Sequence, residues 1–271
     1  MESADLMNLL PGILTQARSA LAGLRLAETR LVPPEVREAD PVKDRQAAVL
    51  DQNYYRLLRL VNDLTLTLSL AQGQPPLMRD CNLAELVGGL FQQALGLCDR
   101  LDVDLRWVCR ETPLVCSVDR EGLEAIFLHL LSNALRSSPP GGVVTVDLRR
   151  SDRQVLLSVQ DAGPGISQEQ REALFLSPRR DGALPDLSAL PGAGMGLLLC
   201  NHLARRQGGA LVVESPLEKG GTRFTLSLPL QTTGSLSDPH WDFSGGVNKV
   251  LLALSDILPA EAFLTRYQED F

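Results

Sequence analysis

The chain has 271 residues, 44% hydrophobic and 22% charged, with a formal net charge of −7. At about 150 residues per domain it holds one or two domains, each able to bury a core without disulfides. An acidic chain with no Lys/Arg cluster is a poor partner for nucleic-acid phosphates. No stretch approaches the ~18 uninterrupted apolar residues of a membrane span.

The start, Met1-Glu2-Ser3-Ala4-Asp5, lacks the basic and then apolar pattern of a secretion signal. The five cysteines, Cys81, Cys98, Cys109, Cys116 and Cys200, form no C-x-x-C pair and are odd in number. Reduced thiols in a cytoplasmic protein are the expectation.

Residues 5–30 read as a helix, because Leu6, Leu9, Leu10, Ile13, Leu14, Ala17, Leu21 and Leu24 recur at spacings of three and four. Residues 32–42, with Pro33, Pro34 and Pro41, read as a loop. Helical periodicity resumes over 45–71 through Val49, Tyr54, Leu57, Leu58, Val61, Leu64 and Leu68. Two amphipathic helices joined by a short loop make an antiparallel hairpin. Its apolar stripe is longer than one hairpin buries alone, so the expectation is a homodimer, two hairpins forming a four-helix bundle. The competing reading packs both helices onto the chain's own C-terminal domain.

After Gly73-Gln74-Pro75-Pro76 the pattern changes. Helices are expected over 83–98, 119–137, 168–176 and 196–207. Strands are expected over 103–109, 143–150, 154–160, 210–214 and 221–229, the last four with period-two alternation. This is an α/β fold, an α+β sandwich with a mixed sheet and helices on one face. Residues 231–245 have linker composition, and 246–268 read as helices broken at Pro259, with a stripe of Val247, Val250, Leu251, Leu254 and Leu258. The expected domains are a helical hairpin over 1–74, an α/β domain over 75–231, and a linker with a C-terminal amphipathic tail over 232–271. The tail either packs on its own molecule or docks a partner.

Four short patterns carry chemistry. On the helix 119–137, His129, Asn133 and Arg136 fall on one face by their i, i+4, i+7 spacing. An amide oxygen such as that of Asn133 is a hard ligand suited to Mg²⁺ beside phosphate oxygens. Asp161-Ala162-Gly163-Pro164-Gly165-Ile166 follows a strand. Its glycines admit a flat ligand, and its carboxylate can accept from an exocyclic amine. Gly192-Ala193-Gly194-Met195-Gly196-Leu197 opens a helix, where free N–H groups suit a phosphate chain. Gly220-Gly221-Thr222-Arg223-Phe224 leads into the last strand. Taken singly, each has an ordinary reading as surface polar groups, an Asx turn, a helix start or a hairpin turn.

In this order, the four patterns resemble the N, G1, G2 and G3 boxes of the GHKL superfamily of histidine kinases, DNA gyrase B, Hsp90 and MutL. Phe175 resembles the F box, Arg56–Leu64 the second dimerisation helix of sensor kinases, and Asn82–Val87 the start of their catalytic domain. The resemblance covers roughly residues 5–230. It implies ATP and Mg²⁺ as cofactors. It implies Asp161 on the adenine amine, Gly163, Gly165 and Ile166 around it, and Thr222 nearby. It implies Asn133 on Mg²⁺, Arg136 on phosphate, and Gly192, Gly194, Gly196 and Leu197 at a lid over about residues 168–191 that carries Arg179 and Arg180.

Two departures stand out. His129 occupies a position where the family has Asn or Glu; a neutral imidazole there could act as a general base or be a passive contact. The first helix has no phosphoacceptor histidine: aligning Arg18-Ser19-Ala20-Leu21 with the usual Arg-Thr-Pro-Leu puts Thr15 there, beside Gln16, and no histidine precedes His129. The resemblance therefore implies an ATP-binding protein of two-component-type signalling without ordinary autophosphorylation. Its partner would be a response regulator or another kinase. Two alternatives stay open: a phosphotransferase acting on a His, Ser or Thr of a partner, and a non-catalytic dimeric interaction module.

Overall fold

The computed structural model describes residues 3–98, 100–166, 194–215, 220–234 and 247–265. The predicted helix 168–176, Phe175, Gly192, Arg179, Arg180 and the whole of the expected lid lie outside the described residues. The chain folds into two compact units. One comprises Met1–Gln72 together with Phe243–Phe271, the other Gly73–Asp242.

In the first unit, α1 (Ser3–Leu31), α2 (Pro34–Ala39) and α3 (Pro41–Ala71) follow one another almost without interruption. The loop expected over 32–42 is thus corrected: most of it is helix. The prolines open helices instead of ending them. Pro34 and Pro41 occupy the first helical turn, where the missing N–H costs nothing. Asp40 caps α3 by accepting from the N–H groups of Val42 and Lys43. α1 and α3 bury Leu14 and Leu21 against Leu58, Val61 and Leu68. The apolar stripe read on α3 divides between two faces, because Val49, Leu57 and Leu64 remain exposed, as do Leu9, Ile13 and Leu24 on α1. After residue 246 the chain returns to this unit as α7 (Lys249–Leu254) and a 3₁₀ turn (Ala260–Phe263), with Val250, Leu254, Leu258 and Phe263 fully buried.

The second unit begins with β1 (Met78–Asn82), α4 (Leu83–Cys98), β2 (Val103–Cys109), β3 (Val115–Asp119) and α5 (Arg120–Ser137). It continues with β4 (Gly142–Ser151), β5 (Gln154–Gln160), α6 (Gly194–Arg206), β6 (Ala210–Glu214) and β7 (Arg223–Pro229). Five strands form a mixed sheet of order β2-β4-β5-β7-β6, with β2–β4 parallel and the other pairs antiparallel. Alternation sets the buried face. Val144, Val146 and Leu148 on β4 meet Val155, Leu157 and Val159 on β5, and those meet Phe224, Leu226 and Leu228 on β7. α5 lays Leu123, Ile126, Phe127, Leu130 and Leu131 into the same core. Each such side chain contributes about 1.5–3 kcal/mol through burial.

β1 and β3 form a separate two-stranded antiparallel sheet. Its anchor is Asp80, which accepts from the Thr233 N–H, the Thr233 hydroxyl and the Gly234 N–H at 2.8–3.0 Å. That fixes the chain at the point where it leaves β7. The five cysteines are free. Among the described residues, no helix is long and apolar enough to cross a membrane.

Candidate functional site at one end of the sheet

The site forms where β5 ends beside the turn that leads into β7. Asp161 is buried, and its Oδ1 accepts from the Gly163 N–H at 2.8 Å and the Thr222 N–H at 3.1 Å. Its own N–H donates to the Thr222 carbonyl. The G1-like loop and the G3-like turn are therefore laced together through this one aspartate. Burial pushes the Asp161 carboxyl above its ordinary pKa, and the two N–H donors only partly offset that. A carboxylate kept buried against its own desolvation is a feature of functional sites.

The glycines follow from close packing. Gly221 has φ +94° and lies so tightly on the Asp161 carbonyl that any Cβ would overlap it. A Cβ on Gly163 would come within 2.6 Å of the Ser137 carbonyl at the end of α5. Gly165 also has positive φ. Ile166 donates its N–H to the Ser215 hydroxyl at 2.8 Å, and that hydroxyl is 3.1 Å from the Thr222 hydroxyl. The Ser138 hydroxyl accepts from the Ala162 N–H at 3.4 Å and donates to the Ala134 carbonyl at 2.9 Å.

α5 supplies one wall. His129 is buried, Asn133 one turn later is half-buried, and Arg136 is exposed. His129 packs on α6: a Cβ on Gly196 would lie 2.9 Å from its Nδ1. Gly194 opens α6 and Leu197 is buried. α5 thus touches the G2-like segment through His129 and the G1-like segment through Ser137, with Asn133 between the two contacts. Ser215 and Ser138 were not singled out by sequence, since a serine after a strand or at a helix end carries no spacing signal.

Gly196 lends itself to a direct test. Replacing it with alanine should destabilise the second unit by about 1–3 kcal/mol, because the buried imidazole has little room to yield. That outweighs the gain of up to about 1 kcal/mol from alanine's helix propensity. Thermal melting should show the loss, and adding His129→Ala in the same chain should recover part of it.

What these residues can hold follows from their chemistry. A recessed carboxylate ringed by glycines suits a flat group with an exocyclic amine. Among the described residues no three His, Cys, Asp or Glu side chains cluster to hold a metal. A cation beside the Asn133 amide would take further ligands from a bound phosphate chain and from water.

Residues 118–232 match the family described as histidine kinase-, DNA gyrase B-, and HSP90-like ATPase. The second unit accordingly carries a GHKL-type, histidine-kinase-like ATPase domain. The chain is 29% identical over 221 residues to the alginate biosynthesis sensor protein KinB of Pseudomonas aeruginosa, covering 79% of this chain and 35% of KinB. It is 32% identical over 194 residues to the histidine protein kinase DivJ of Caulobacter vibrioides, covering 70% of this chain and 32% of DivJ. The chain thus spans about a third of the length of these relatives. In fold alone it resembles full-length ShkA, solved with AMPPNP, with a TM-score of 0.62 at 21% identity over 89% of this chain and 48% of that one.

Proposed function

We propose that this chain is a dimeric, ATP-binding, histidine-kinase-like component of two-component-type signalling that does not phosphorylate its own hairpin. One observation carries the last clause: its three histidines are His129, His202 and His240, so both long helices of the hairpin lack one. Thr15, the residue at the aligned acceptor position, donates its hydroxyl to the Pro11 carbonyl one turn back, and neither chain neighbour, Leu14 or Gln16, is a base that could activate it.

In this reading Asp161 holds the adenine amine through Oδ2, since Oδ1 already serves Gly163 and Thr222. Gly163, Gly165 and Ile166 line the purine, with Thr222 beside it. Asn133 binds Mg²⁺, Arg136 meets phosphate, and Gly192, Gly194, Gly196 and Leu197 border the triphosphate. Bound Mg²⁺ would neutralise phosphate charge. His129 is a passive wall, because its ring is packed against Gly196. Incubation with γ-labelled ATP and Mg²⁺ tests the proposal. The expected result is bound nucleotide with no acid-labile label on the chain. Acid-stable label on Thr or Ser, on the chain or a partner, would replace this reading with phosphotransfer. No binding at millimolar ATP would leave only an interaction module.

The dimer rests on the apolar face left open by the hairpin, including Leu57, Leu60 and Leu64 on α3. Leu60→Glu with Leu64→Glu places four charges at the centre of such a bundle. Light scattering should show the dimer converted to monomer, with ATP affinity unchanged.

A further inference from the structure

The C-terminal segment 247–265 lies outside the matched family residues, and no part of the ATP site uses it. We infer that the α2–α3 face of the hairpin is a docking surface whose occupant is this chain's own C-terminal segment, held as a detachable intramolecular ligand.

The mode of binding is that of a peptide in a site. Side chains of the hairpin read main-chain carbonyls of the segment. Arg59 donates to Ala253 O; Arg56 donates to Ser255 O at 3.1 Å; Gln52 donates to Leu258 O at 2.7 Å; Arg37 donates to Phe263 O at 2.9 Å. Asp44 accepts from both the N–H and the hydroxyl of Thr265. Two of these carbonyls, of Ala253 and Ser255, lie at the C-terminal end of α7, where a helix leaves acceptors unsatisfied and favours arginine. Apolar anchors complete the grip: Leu254, Leu258 and Phe263 are fully buried, and the Phe263 ring packs 5.6 Å from that of Tyr55.

α7 has six residues and the 3₁₀ turn four, too short to be stable in isolation. The segment therefore owes its shape to the surface that holds it. It is joined to the ATP domain by residues 235–246, Ser-Leu-Ser-Asp-Pro-His-Trp-Asp-Phe-Ser-Gly-Gly, a composition that favours a linker. A tether of that length supplies a millimolar-range effective concentration, enough to keep a modest ligand docked.

Two consequences follow. The ATP domain is an insertion, covalently joined to the helical unit before Gly73 and again after Asp242. Arg56 and Arg59, which begin the stretch resembling a sensor kinase's second dimerisation helix, are committed to the chain's own tail. A partner that reads those arginines must first displace it. The fitting competitor is a short helix with free C-terminal carbonyls, an acidic residue at the position of Asp256, which pairs with Arg59 at 3.2 Å, and large apolar side chains beyond it.

The test uses the full chain with a protease recognition sequence inserted within residues 235–246. After cleavage, the tail fragment should co-elute with the remainder and exchange with a labelled synthetic peptide of residues 247–265. Gln52→Ala, Arg56→Ala and Arg59→Ala together should weaken that retention by about 100-fold, from three hydrogen bonds of about 1 kcal/mol each. Lysine at 56 and 59 should retain part of it. Parent-like far-UV circular dichroism confirms that the variant hairpins fold, and ATP binding, unchanged throughout, keeps the outcome separate from the nucleotide proposal. Immediate separation of the cut tail at micromolar concentration overturns the inference. So does a tail that never exchanges short of unfolding, or a triple variant that retains it as tightly as the parent.

Discussion

Asp161→Asn should weaken ATP binding by about 100-fold or more while leaving the fold intact. The substitution is nearly isosteric, and an amide oxygen can still accept from the Gly163 and Thr222 N–H groups that now meet Oδ1. What changes is the atom proposed to face the purine. Oδ2 becomes an NH₂ group, so two donors confront each other where an acceptor met an amine. The loss of a charge-assisted bond, about 1.5–3 kcal/mol, adds to the cost of leaving buried donors unmatched, about 1–3 kcal/mol. Calorimetric titration with ATP measures the effect, and an unchanged melting curve separates it from unfolding. An affinity within a few-fold of the parent would remove Asp161 from the purine site.

The same residue dictates a pH dependence. Its folded pKa is raised above the ordinary 3.8, with burial the main cause. Between the unfolded and folded values the native state holds the extra proton. Acidification through that window therefore stabilises the fold, and rising pH withdraws that stability. ATP binding should move the opposite way, because the ligand needs the ionised acceptor: affinity falls as pH drops through the raised value. Asp161→Asn should abolish that step in the profile.

How far the chain could be read from sequence differed by the kind of constraint. α4, β2, β5 and β6 fall on the residues expected of them, β5 and β6 through their period-two alternation. The glycine-rich segments were legible because they answer to backbone packing: Gly163 and Gly221 stand where a Cβ would strike a carbonyl. β1 and β3 were missed because their stability is tertiary. Met-Arg-Asp-Cys-Asn has little strand character of its own, and its buried Asp80 is held by Thr233 and Gly234 some 150 positions away in sequence. The prolines of 33–41 misled for a local reason, since the same residue that ends one helix begins the next. The contact of His129 with Gly196 depends on how two helices cross, which no spacing within either helix records.

Arg37→Ala should destabilise the helical unit by about 3–5 kcal/mol, the usual result of stranding a buried charge. Arg37 is 6% exposed and binds three acceptors: Asp44 at 2.9 Å, Asp51 at 2.8 Å and the Phe263 carbonyl at 2.9 Å. Asp51 is fully buried and would lose its buried guanidinium partner, keeping the partly exposed Arg25. Asp44 supplies an independent readout. Burial raises its pKa, but the hydrogen bonds from Arg37 and Thr265 outweigh that, so the net shift is downward. A depressed carboxylate stabilises the fold above its unfolded pKa and loses that contribution as pH falls through the folded value. In Arg37→Ala this acid-side contribution should shrink, so the variant and the parent converge in stability at low pH. Far-UV circular dichroism in urea follows the helical unit, with ATP binding as the control for the other. Arg37→Met combined with Asp51→Leu should recover part of the loss, because it removes the stranded Asp51 charge while Asp44 and the Phe263 carbonyl still lack the guanidinium. If the single variant melts like the parent, Asp51 is satisfied without Arg37, and the three-acceptor arginine is dispensable to the fold.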